Sequence, residues 1–143
     1  MVLAEKKGGI GLLYVFCAIM GLVLVVARTE TIMTVAGAIV MLFGLGVAVD
    51  YFMMPHDLIK MNGHDNFEIK NSDVVPIGYI TEVSYQRARG RGIYYKWGTI
   101  HIKTQYKNFA VRYVRDCEQA TADIDQVIRE HNARVASFGN NTF

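Results

Sequence analysis

Two uninterrupted apolar runs occupy the first third of the chain and constrain it more than any other feature. Residues 8–27 read GGIGLLYVFCAIMGLVLVVA and carry no charge. Residues 32–55 read IMTVAGAIVMLFGLGVAVDYFMMP and carry one, Asp50. At about 1.5 Å of rise per residue, each run can cross a hydrocarbon core of roughly 30 Å as a helix. Only Arg28-Thr29-Glu30-Thr31 separates them. Residues 1–55 therefore read as a transmembrane helical hairpin, with spans at about 8–27 and 32–54.

The rest of the chain has a different composition. From residue 56 onward there are 12 Lys/Arg and 10 Asp/Glu, ordinary for a domain that folds in water. The overall charge of +2 excludes nothing, but its distribution is uneven. Glu82 to Arg115 holds eight bases and one acid, whereas Asp116 to Arg134 holds five acids and two bases. One side of the domain is expected to be basic and its C-terminal segment acidic. Cys17 and Cys117 form neither a disulfide framework nor a CxxC pair, which fits a reducing compartment. Glu5-Lys6-Lys7 resembles the charged start of a secretory signal. Cleavage is not expected, however, because the apolar run is long, no clean small-x-small site follows, and a second span begins at once.

Lys6 and Lys7 flank the first span, and Lys60 and the basic domain follow the second. In the turn, Arg28 is balanced by Glu30. Counting positive charges puts both termini in the cytoplasm of a multi-pass protein of the inner (plasma) membrane. Small residues recur at helical spacing: Gly11, Ala18 and Gly21 in the first span, and Gly37, Gly44 and Ala48 in the second. A tight antiparallel turn brings Gly21 to the depth of Gly37 and Ala38, and Gly11 near Ala48, so that backbones approach closely. The same faces could instead bind another subunit. Asp50, one turn before Pro55 and beside Tyr51, is expected at the membrane interface rather than in an ion path.

Beyond Pro55 the periodicity shifts toward two. Residues 57–62 and 66–70 bracket Asn62-Gly63-His64-Asp65, a hairpin turn. Phe67 and Ile69 alternate with Glu68 and Lys70 as in a half-buried strand. Val74 to Ile77 contains Pro76 and reads as an edge or short strand. Ile80 to Arg87 is the next strand, followed by a flexible Arg89-Gly90-Arg91-Gly92. Tyr94–Thr104 and Asn108–Val114 form a hairpin across Gln105-Tyr106-Lys107. Gly98, Ile100 and Ile102 share one face of it, with Thr99, His101 and Lys103 on the other. Phe109, Val111 and Tyr113 oppose Ala110, Arg112 and Val114. The last element is a helix. Asp116 is placed to cap it, with Gln119 at the capping-box position. Cys117, Ala120, Ile124, Val127, Ile128, His131 and Val135 make its apolar stripe. Residues 137–143 read as a flexible tail.

This order predicts an α+β domain over residues 56–136: a bent antiparallel sheet or partial barrel, capped by the C-terminal α-helix. With Trp97-Gly98 opening a strand and a capped final helix, it resembles the bacterial pleckstrin-homology-like domains, whose membrane-anchored members carry two N-terminal spans. The resemblance implies a binding or assembly module without catalysis, and it carries over no functional residue.

The densest local chemistry is residues 86–97, QRARGRGIYYKW. A solvated hairpin loop with core aromatics at its base is the plain reading. The functional reading is contact with an anionic headgroup or a protein partner. Arg87, Arg89, Arg91 and Lys96 would supply charge, and Tyr94, Tyr95 and Trp97 interfacial contact. Arg-Gly repeats with aromatics also bind RNA, but the membrane hairpin and balanced total charge disfavour nucleic acid. His56, His64, His101 and His131 lack metal-site spacing, and there is no phosphate loop or nucleophile elbow. No catalytic residue, metal or cofactor is expected. The expected function is a non-enzymatic scaffold that presents a β-domain at the inner membrane face to a protein partner or anionic lipid. The alternative is an accessory subunit of a larger membrane complex, such as a transporter, docked through its spans. Partners would be membrane lipids, a protein, or a second copy of the chain.

Overall fold

The computed structural model describes residues 1–27, 30–63 and 65–140. They form two compact units, Gly8–Met54 on the one hand and Met1–Lys7 with Pro55–Phe143 on the other. The sequence assigns residues 1–7 to the hairpin, but in the structure they belong to the β-domain. Val2–Glu5 is strand β1, antiparallel to β2, Asp57–Asn62. Four residues ahead of a long apolar run carry too little pattern to announce a strand, and only pairing with β2 makes them one.

The first unit holds helices α1 (Ile10–Ala27) and α2 (Thr31–Met53). Both are long and apolar enough to cross a membrane. Glycines set their closest approaches. A side chain at Gly21 would meet the Met41 nitrogen at 2.5 Å and the Gly37 carbonyl at 2.7 Å. One at Gly37 would meet the Leu24 Cβ at 2.8 Å, and one at Gly44 the Ala18 nitrogen at 2.9 Å. Gly11 is covered by the rings of Tyr51 and Phe52, not by Ala48. The helices are thus antiparallel, backbone against backbone along these positions. Arg28 and Thr29 of the turn lie outside the described residues; the Glu30 carbonyl accepts the Thr34 N–H at 3.0 Å as α2 begins. Asp50 is exposed in the last turn of α2, which stops at Met54 just before Pro55.

The β-domain has two antiparallel sheets. The four-stranded one runs β1-β2-β3-β4, with β3 at Asn66–Ile69 and β4 at Asp73–Pro76. The three-stranded one runs β5-β6-β7, with β5 at Ile80–Gly90, β6 at Ile93–Thr104 and β7 at Asn108–Val114. A 3₁₀ turn, Ile77–Tyr79, links them. Pro76 ends β4, an edge strand, where its missing N–H costs no ladder bond. His64 of the β2–β3 turn lies outside the described residues. At the other end the sheets meet through β1 and β7. Lys6 bridges Val114, the Lys7 N–H donates to the Tyr113 carbonyl at 2.7 Å, and the Arg115 N–H donates to the Glu5 carbonyl at 2.9 Å.

The core is one cluster: Leu3, Ala4, Leu58, Ile59, Phe67, Ile69, Val75, Ile100, Ile102, Val111 and Val114 from the sheets, Ile77 from the 3₁₀ turn, and Cys117, Ala120, Ile124 and Val127 from α3, Cys117–Asn140. Val114 departs from the sequence pattern, which puts it with Ala110 and Arg112 on the face opposite Val111. The β6–β7 register slips by one between the Gly98–Val114 and Ile100–Val111 pairs, and Tyr113 takes a positive φ of 61°. This bulge turns Val114 inward, where it is fully buried. In α3, Asp116 caps through its carboxylate, which accepts the Gln119 N–H at 3.1 Å. The Gln119 side chain bonds Asp123 at 2.9 Å rather than closing the capping box. The stripe ends near His131, whose ring contacts Asp65 at 3.0 Å; Val135 is exposed. The helix also runs on through residues 137–140, where the sequence reads a flexible tail. Residues 141–143 lie outside the described residues.

Candidate functional site

The basic, aromatic segment is a two-stranded tongue. β7 pairs with β6 only from Gly98 to Lys103, so residues 88–97 extend past the sheet as β5 and β6 alone. The expected flexible loop 89–92 is instead ordered strand closed by a two-residue turn. Gly90 pairs with Ile93, and Arg91 and Gly92 take φ values of 46° and 83°. Two successive positive φ angles are the signature of the type I′ turn that matches strand twist. At the base, Arg87 pairs with Gly98 and Arg89 with Tyr94. Tyr95, Lys96 and Trp97 therefore stand opposite Ala88 alone, a bulge that twists the ribbon. Gly98 makes this possible, because a side chain there would run into the Gln86 carbonyl and come within 2.9 Å of the Arg87 Cα.

The side chains sort into groups. The Arg89 guanidinium lies 5.5 Å from the Tyr94 ring centroid, within cation–π range. The Tyr95 and Trp97 rings are 6.1 Å apart. Arg91 occupies the turn. Lys96 is exposed, and its backbone carbonyl accepts a hydrogen bond from the Cys117 thiol at 3.3 Å, fastening the tongue base to the start of α3. Burial pushes that thiol above its ordinary pKa. Ile93, Tyr94 and Tyr95 are 60%, 61% and 44% exposed. Apolar side chains and bases thus share the outer tongue.

Arg87 differs from the other bases. Its guanidinium forms an ion pair with Glu118 in the first turn of α3 and lies 5.9 Å from the Tyr85 ring. Arg89, Arg91 and Lys96 have no carboxylate in ion-pair reach among the described residues. Tyr85, Gln86, Arg87, Arg89 and Tyr94 line an open cavity of about 610 Å³ on the tongue. Sequence reasoning missed Tyr85 and Glu118 as parts of this surface and gave Gln86, the first residue of the segment, no role. Arg87 and Glu118 are 31 positions apart, and no local spacing signals their contact.

No cluster of three or more His, Cys, Asp or Glu side chains among the described residues is arranged to hold a metal ion. No known protein family matches the chain, and no curated protein or solved structure is significantly similar to it.

Proposed function

We propose that this chain is a non-enzymatic, membrane-anchored binding module with a pleckstrin-homology-like domain, and that its β5–β6 tongue rests on anionic lipid headgroups at the inner face of the plasma membrane. The carrying observation is the outer tongue, where Arg89, Arg91 and Lys96 lack acidic partners among the described residues and lie beside exposed Ile93, Tyr94 and Tyr95. Bases near an anionic surface contribute about 1 kcal/mol each, and aromatic rings favour the headgroup layer. A tether to the same bilayer makes such modest contacts sufficient, because binding becomes intramolecular.

Membrane placement is supported by α1 and α2, whose large side chains, such as Leu12 and Ile32, stay exposed within their unit. An apolar surface of that extent calls for lipid as solvent. Pairing of β1 with β2 favours a reading in which both ends of the hairpin open on one side, and the basic residues support the cytoplasm as that side. Four plus three antiparallel strands with a C-terminal helix support the pleckstrin-homology-like reading. Docking of the spans on a transporter has less support, since Gly21, Gly37 and Gly44 are already used between α1 and α2.

Hydrogen exchange on the full chain in nanodiscs tests the proposal. Amides 89–96 should exchange more slowly in phosphatidylglycerol-containing discs than in phosphatidylcholine discs, and high salt should abolish the difference. Equal exchange in both discs, or protection that survives Arg89→Gln with Arg91→Gln and Lys96→Gln, would sink it.

A further inference from the structure

We infer that Glu118 is an internal competitor for the tongue's anion-binding face, so that a phosphate-bearing ligand engages Arg87 by displacing the Glu118 carboxylate. The inference rests on the proposed headgroup contact and adds its ligand chemistry and its regulation. The Glu118 carboxylate marks where an anion sits against Arg87. The open cavity that Arg87 lines is lined also by a second arginine, Arg89, and by Tyr85, Gln86 and Tyr94. Two arginines thus line one surface, and Glu118 is the one carboxylate paired with either of them among the described residues. A phosphate offers three oxygens and a larger charge, and Arg binds it bidentately. It is the better partner for a two-arginine surface.

The exchange is easy in both directions. The Arg87 and Glu118 side chains are 37% and 56% exposed, and half-exposed pairs of this kind are weak. When displaced, Glu118 remains in the first turn of α3, where the helix dipole favours a carboxylate without Arg87. The contact therefore works as a latch. Closed, it ties the tongue base to α3 and withholds one base; open, it frees that base for the ligand.

The test uses the full chain in nanodiscs with graded phosphatidylglycerol, reading amide protection of the tongue, and in detergent with inorganic phosphate, reading the fluorescence of Trp97, the only tryptophan. Glu118→Gln should lower the half-saturating lipid fraction or phosphate concentration by about two- to five-fold. Asp123→Asn, the same charge change on the same helix away from Arg87, should leave it unchanged. In an Arg87→Ala background, Glu118→Gln should have no effect. A gain with lipid alone assigns the ligand to a headgroup, and a gain with phosphate as well assigns it to phosphate esters generally. Either supports the latch. An inert Glu118→Gln, or one matched by Asp123→Asn, overturns the latch while lipid-dependent protection of the unaltered tongue leaves the headgroup reading standing. Loss of any lipid or phosphate response in the unaltered chain removes both.

Discussion

The backbone N–H of Lys6 donates to the carbonyl of His56 at 2.8 Å, closing the β1–β2 ladder on either flank of the two apolar helices. The helical hairpin is therefore an insertion in the connection between two paired strands, and the β-domain is tied to it by two chain segments.

The first prediction follows from that insertion. A chain in which a short Gly-Asn turn joins Lys7 directly to Pro55 should fold as an independent β-domain, because those ends are already held together by β1–β2 pairing. A fragment beginning at Pro55 lacks β1 and uncovers the core beside Leu58 and Ile59. It should melt at clearly lower temperature, or not cooperatively, by circular dichroism. Leu3→Ala should cost the joined domain about 2–3 kcal/mol, since Leu3 is buried in the common core. Equal melting of the two forms would show that β1 is dispensable.

Gly98 gives the second. Alanine there drives its methyl into the Gln86 carbonyl at the bulge, and backbone on the facing strand cannot step aside as a flexible side chain does. Gly98→Ala should destabilise the β-domain by about 1–3 kcal/mol. Gly46→Ala, where the added methyl meets only open space, should be nearly neutral. Chemical denaturation followed through Trp97 separates the two.

The third concerns pH. Hydrogen bonds from Lys60 and then His56 hold the Asp57 carboxyl below its ordinary value of 3.8. Below that value the unfolded chain takes up the proton more readily than the folded one. Stability from this group is thus present above pH 3.8 and lost as pH falls through the depressed folded value. Cys117 has the opposite sign. Burial raises its thiol above 9.0, so the folded state keeps a proton that the unfolded state releases, and stability declines as pH rises past 9.0. Asp57→Asn should flatten the acid limb and Cys117→Ala the alkaline limb of stability against pH. An unchanged slope in either variant removes that group as its source.

How much of this could be read from the chain depends on the range of the interaction. Phe67 and Ile69 alternate with polar neighbours, and they are buried on one face as that alternation requires. The hairpin of β6 and β7 and the cap at Asp116 are equally local. Val114 defeats the same rule, because a positive φ at Tyr113 shifts the pleat and no side-chain pattern records it. The tongue was legible as composition but not as geometry. A run of Arg and Gly reads as flexible loop, whereas cross-strand pairing of Arg89 with Tyr94 makes it strand. Glu118 could not be found at all, since its place in the site depends on where α3 packs.

The last prediction separates tongue charge from tongue folding. Arg91 holds a φ of 46° in a two-residue turn before Gly92. An arginine is strained there, whereas Asn-Gly is the pair that such turns prefer. Arg91→Asn should therefore keep or raise stability by a few tenths of a kcal/mol, because Asn tolerates the left-handed conformation. It also removes one base from the outer tongue. If the tongue binds anionic lipid by charge, Arg91→Asn should weaken phosphatidylglycerol-dependent protection by up to about five-fold, the equivalent of about 1 kcal/mol for one base at the surface, while the melting temperature holds or rises. Gly92→Ala is the reverse case. It keeps every charge but strains a position with φ at 83°, so it should lower stability by about 1 kcal/mol and lose lipid contact only as far as the turn opens. Weakened lipid contact in a stabilised Arg91→Asn tongue can come only from charge. Unchanged contact there would mean that Ile93 and the two tyrosines hold the tongue to the membrane without it.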